Sequence, residues 1–120
     1  METKTDRSLR LESRMLDFSI AVISATRRVA KAPENDTITR QLIRSATSIG
    51  ANYTEANNAA SKLDFRNKIF LAKKEAAETR YWLKLLIKVN PGLDLSVLLG
   101  ETTELLLILQ KIVTTMKNGK

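Results

Sequence analysis

The sequence predicts an all-α protein, a single antiparallel up-down-up-down four-helix bundle over residues 1–120, and three observations carry that prediction. Ala, Leu, Glu, Lys and Arg are abundant while the chain holds only 4 glycines and 2 prolines, and no stretch alternates as a strand would. Four long stretches repeat apolar residues at the spacing of a helix, about 6–32, 36–58, 62–89 and 95–117. The turns between them are a few residues long, too short to cross the length of a helix, so consecutive helices must run in opposite directions. No internal repeat, low-complexity segment or linker divides the chain.

The opening residues are polar and loose, and Asp6, an N-cap residue type, begins a helix that Pro33 stops after Ala32. Leu11, Met15, Phe18, Val22, Ala25 and Val29 form its core stripe, and Leu9, Leu16, Ile20 and Ile23 form a second stripe on the far side. Asn35 and Asp36 are N-cap candidates for the second helix, whose inner face carries Ile38, Leu42, Ile49, Tyr53, Ala56 and Ala60. Its middle, RSATSIGAN, is poor in helix formers. Small residues let backbones approach, so Ser45, Ala46, Ile49 and Gly50 read as a tight helix–helix contact with Asn52 and Glu55 making polar contacts nearby. The alternative is an anion site built from the serine hydroxyls and Arg44.

Ser61 and Asp64 have capping-box spacing and open the third helix, which runs roughly seven turns until Pro91-Gly92 breaks it. Phe65, Ile69, Ala72, Ala76, Leu83 and Ile87 face the core; Phe70, Ala77, Tyr81 and Leu85, widened by Leu71 and Trp82, form a second apolar set. Between the sets runs a basic line of Arg66, Lys73, Arg80 and Lys84, extended by Lys62 and Lys88. The last helix, capped by Asp94 or Ser96, turns Leu95, Leu98, Leu99, Leu105, Leu106, Leu109, Ile112, Val113 and Met116 inward.

Doubled stripes on the first and third helices offer more apolar surface than one bundle core takes, which implies self-association through Leu9, Leu16, Ile20, Ile23, Phe70, Tyr81 and Trp82. The alternative is that both helices sit centrally and touch two neighbours each. Of the formal charge of +7, residues 61–90 carry +5 and residues 1–32 carry +3, while 33–60 sum to −1 and 91–120 to zero. Positive charge on two segments suits a polyanion, although a soluble helical surface uses the same residues.

The chain contains no cysteine and no histidine, which removes disulfides, thiolate metal sites, the commonest nucleophile and the commonest general base. Glu75 and Glu78, with Glu55, are a conceivable carboxylate group, but their spacing reads better as ion pairing with basic neighbours, so no enzyme is expected. No cofactor or metal is expected either, because a carboxylate-bridged metal bundle ordinarily uses Glu-x-x-His. No secretory signal or membrane-length apolar run is visible, so the expectation is a soluble cytoplasmic protein without a membrane partner.

Two runs, QLIRSATSIGANYTEA from Gln41 to Ala56 and SKLDFRNKIFLAKKEAAETRYWLKLL from Ser61 to Leu86, resemble the bacterial four-helix-bundle family named after the intervening sequences of 23S ribosomal RNA genes, sometimes labelled S23 ribosomal protein. The resemblance implies a ring-like homopentamer with a basic inner or end surface. It extends to the accessory variability protein of diversity-generating retroelements, which works beside a reverse transcriptase and binds nucleic acid. Arg44, Asn52, Glu55, Lys74, Glu75, Glu78, Tyr81 and Trp82 match the family pattern and read mostly as fold or interface residues. Asn57 and Asn58 stand where many relatives have glycine.

The leading functional expectation is non-catalytic binding of nucleic acid, structured RNA rather than DNA. Arg66, Lys73, Arg80, Lys84, Lys62 and Lys88, with Arg10 and Arg14, would contact phosphates. The chain has no RNP pattern, GXXG clamp or zinc knuckle, so base-specific readout is not expected. The alternative is an oligomeric scaffold that recruits a protein partner such as a polymerase.

Overall fold

In the computed structural model, which describes residues 1–118, the helices are α1 (Lys4–Thr26), α2 (Pro33–Asn57), α3 (Lys62–Val89) and α4 (Ser96–Lys117). No strand occurs among the described residues. The molecule measures 46 × 28 × 21 Å, about the length of its longest helix by two helix layers.

Helix ends follow local chemistry, and four of them depart from expectation: both ends of α1 and the starts of α2 and α4. Thr3, not Asp6, caps α1: its hydroxyl accepts from the Asp6 amide at 3.0 Å while the Asp6 carboxylate accepts from the Thr3 amide at 3.1 Å, a reciprocal box. Pro33 does not stop the first helix after Ala32; it is the first residue of α2, where its missing N–H has no helical partner to lose. A residue before proline avoids helical geometry, and Ala32 is extended at φ −163°, ψ 148°. The helix therefore ends at Thr26, and Val29 reaches the core edge from the connecting turn.

Asn35 and Asp36 consequently lie inside the first turn of α2 rather than capping it. Asn35 is buried and exchanges amide hydrogen bonds with Asn90 at 3.0 and 2.8 Å, tying the α1–α2 turn to the end of α3. Ala60 lies beyond α2 and is exposed. Ser61 caps α3 as expected, its hydroxyl accepting from the Asp64 amide at 3.0 Å. Gly92 takes the left-handed turn at φ 94°. Neither Asp94 nor Ser96 caps α4: Leu95 holds the N-cap position without a side-chain hydrogen bond, and Asp94, one residue earlier, accepts from the Ser96 amide at 2.9 Å.

The core comprises Met15, Phe18, Val22 and Ala25 of α1, Ile38, Leu42, Ala46, Ile49, Tyr53 and Ala56 of α2, Ile69, Ala72, Ala76, Leu83 and Leu86 of α3, and Leu98, Leu105, Leu109 and Val113 of α4, with Leu95 at the α4 cap. Leu11, Val29, Phe65, Ile87, Leu99, Leu106, Ile112 and Met116, expected inside, are only partly buried and pack against the core's edge. The small residues of α2 do admit close neighbours. Ser45 and Ala46 are fully buried, the Thr79 hydroxyl of α3 donates to that of Ser45 at 2.8 Å, and a Cβ on Gly50 would stand 3.1 Å from that of Met15. Across the thinner α1–α4 junction, Arg14 donates to Glu101 at 2.7 and 2.8 Å and to Glu104 at 3.1 Å.

Candidate nucleic-acid interface

α3 sorts its charges by side. Its three acids turn away from the outer face: Asp64 sits at the Ser61 cap, and Glu75 and Glu78 both pair with Arg44 of α2, Glu75 at 3.1 Å. Gln41 accepts from Arg44 at 2.9 Å, and the Trp82 indole donates to Glu78 at 2.9 Å. Lys68, also on that side, pairs with Glu55 at 2.7 Å, which raises its pKa. The remaining cations, Lys62, Arg66, Lys73, Lys74, Arg80, Lys84 and Lys88, make no ion pair among the described residues.

The outward stripe of α3 reads Arg66, Phe70, Lys73, Ala77, Tyr81, Lys84, Lys88, separated by steps of three or four residues, which keeps all seven on one face. Lys62, Lys74 and Arg80 flank it and no carboxylate interrupts it. All six basic residues singled out by sequence are thus brought together on one helix side, with Lys73 and Arg80 partly buried and the others exposed. Phe70 and Tyr81, grouped by sequence with an apolar set beside the basic line, lie within that line, 39% and 57% exposed. Trp82 is half-buried, and its ring meets that of Tyr81 edge-on, with centroids 5.0 Å apart at 74°.

The other expected surface is on α1. Leu9, Leu16 and Ile20 are 57%, 61% and 55% exposed and Ile23 is half-buried. With Ser13 they make an uncharged seam of three- and four-residue steps. Leu9, Leu16, Ile20, Phe70 and Tyr81 do not turn into the chain's own core, whereas Trp82, expected at the interface, packs against that core.

Two expectations fail. No anion site forms from the serines: Ser45 is buried against Thr79 and donates to the Leu42 carbonyl, Ser48 donates to the Arg44 carbonyl, and Arg44 faces carboxylates. Arg14, held between Glu101 and Glu104, is not free for phosphates, whereas Arg10 stays exposed in its surface pair. The pKa of Arg14 is raised by Glu101 and Glu104, and Arg10 pairs with Glu2.

Sequence reading passed over Thr79, Thr102 and the Asn35–Asn90 pair because a polar residue on a core face carries no periodic signal; Thr102 satisfies itself on the Leu98 carbonyl at 2.7 Å. Among the described residues no three His, Cys, Asp or Glu side chains cluster as metal ligands, and no helix is long and apolar enough to cross a membrane. Two open depressions lie at the end that holds the α1–α2 and α3–α4 turns, one beside Arg28 and Asp94, the other beside Arg27 and Asn35.

The model of the 23S rRNA-intervening sequence protein family matches residues 7–112. A crystal structure from Bacteroides thetaiotaomicron VPI-5482, of a protein with unknown function from the S23 ribosomal protein family, is 32% identical, with a TM-score of 0.80 over 89% of this chain and 97% of that one. No curated protein matches.

Proposed function

The chain belongs to the 23S rRNA-intervening sequence protein family, and on that footing we propose that it binds structured RNA, without catalysis, through the outer face of α3. The observation that carries this reading is the run of seven cations on α3 with no ion-pair partner among the described residues and no acid between them. Cations left without partners gain most from a polyanion, because phosphates release their condensed counterions when neutralised. Self-association through the uncharged α1 seam, into the ring-like homopentamer that the resemblance implies, multiplies the patch into a continuous field. RNA in the cytoplasm is the matching partner.

The test is fluorescence anisotropy with a hairpin RNA across a salt series. Affinity falls steeply with salt, and replacing Arg66, Lys73, Arg80 and Lys84 by glutamine lowers the slope by about 0.7–0.9 for each phosphate contact removed. Absence of binding at low salt, or a slope untouched by the fourfold variant, refutes the proposal. Retention of a protein partner after nuclease treatment would instead favour the scaffold reading.

A further inference from the structure

We propose that Phe70 and Tyr81 stack unpaired nucleobases, so that the α3 face takes single-stranded RNA segments such as loops, bulges and ends in preference to uniform duplex. The inference rests on the reading of α3 as an RNA-binding face and specifies what kind of RNA it takes.

The two rings stand exposed inside an all-cationic stripe. Large exposed apolar groups call for a partner, and the charges around them restrict which one. A second copy presenting its own α3 would oppose two sets of seven cations with no acid between them. The α1 seam, built from Leu9, Ser13, Leu16, Ile20 and Ile23, contains no carboxylate, and the exposed Asp17 at its border would answer only one of the seven cations. The partner that answers both features is a polyanion carrying flat apolar rings. In A-form duplex the base faces are stacked on each other and only base edges are displayed in the grooves, whereas unpaired bases are free to stack on aromatic residues.

The spacing fits a strand. Eleven residues separate Phe70 from Tyr81, about 16 Å along the helix, with Lys73 and Arg80 between them and Ala77 leaving a low floor. Tyr81 is also held in advance. Trp82 supports its ring edge-on, Glu78 accepts from the Trp82 indole, and Arg44 holds Glu78, so little side-chain freedom is lost when a base arrives. Stacking of this kind tolerates any base, in keeping with the absence of a base-reading motif.

The experiment compares the full chain with Phe70→Ala, Tyr81→Ala and Tyr81→Phe variants, against an unstructured 12-nucleotide RNA and the same strand in a perfect duplex. Both positions are exposed, so folding is checked by helicity and assembly by mass in solution. Each alanine weakens single-strand binding about five- to a hundredfold, Tyr81→Phe retains it, and duplex affinity and the salt slope stay unchanged because no phosphate contact is lost. Trp82, the only tryptophan, changes its emission with the single strand and not with the duplex.

Alanine variants that bind both RNAs as the parent does overturn the stacking inference while leaving the phosphate reading standing. Variants whose assembly mass falls while RNA affinity holds assign the face to a second copy, which also overturns it. A parent chain that binds neither RNA at low salt refutes both the reading and the inference.

Discussion

At Gly50 a missing side chain decides how closely α1 and α2 approach. A Cβ there would stand 3.1 Å from Cβ of Met15, a contact that Met15 cannot relieve by rotating its side chain because that atom is fixed to the backbone. Gly50→Val is therefore expected to lower stability by about 1–3 kcal/mol, the usual cost of overpacking, measured by chemical denaturation. An unchanged midpoint would mean that the helices part freely here. The small-residue run was legible as a close contact; its two neighbours, Met15 on one side and Thr79 on the other, were not. A hydroxyl pair such as Ser45–Thr79 leaves no trace in hydropathy, because each partner in isolation resembles a surface residue.

The helices are punctuated by short hydrogen-bonded devices, and two of these titrate. The Thr3 amide and hydroxyl hold Asp6 below the usual aspartate value of 3.8, and the Ser96 amide and hydroxyl do the same for Asp94. A carboxyl with a depressed folded value stabilises fully above its unfolded value and loses that contribution as pH falls through the folded one. The first turns of α1 and α4 are thus expected to loosen below 3.8, later than free aspartates protonate. Residue-resolved NMR shifts during acid titration read this directly, and Asp6→Asn should abolish the α1 transition alone. Loosening above 3.8 would contradict these hydrogen bonds. Of these devices Ser61 and Pro91-Gly92 were readable in advance, since each acts on immediate neighbours. Pro33 was misread because proline ends one helix and begins another with equal ease; what decided it was the extended Ala32 and the burial of Asn35 against Asn90.

The assembled bundle leaves two unlike faces uncovered, an uncharged one on α1 and a cationic, aromatic one on α3. The α1 seam is expected to pair copies of the chain: Leu16→Glu with Ile20→Glu should reduce the mass in solution to that of one 13.5 kDa chain while helicity is kept, because both positions are exposed within the chain. An unchanged mass would place the contact elsewhere. RNA affinity of this variant should fall as the shared field is lost, whereas glutamine substitutions on α3 should reduce affinity with the mass intact. The two sets of variants thus separate assembly from binding.

Helix number, direction and most of the core were determined by the order of residues alone, because periodicity and turn chemistry act over a few residues and leave their mark in the string. Likewise the basic content of the third helix was plain from counting. What tertiary packing decided was which charges remain available. Glu75 and Glu78 could have neutralised the lysines and arginines of their own helix, but Arg44 on α2 holds both. Arg14, just as basic in the sequence, is engaged by Glu101 and Glu104 nearly ninety residues away. A charge pairs with whatever stands within a few ångströms, and in a bundle that neighbour is chosen by helix contact, not by distance along the chain.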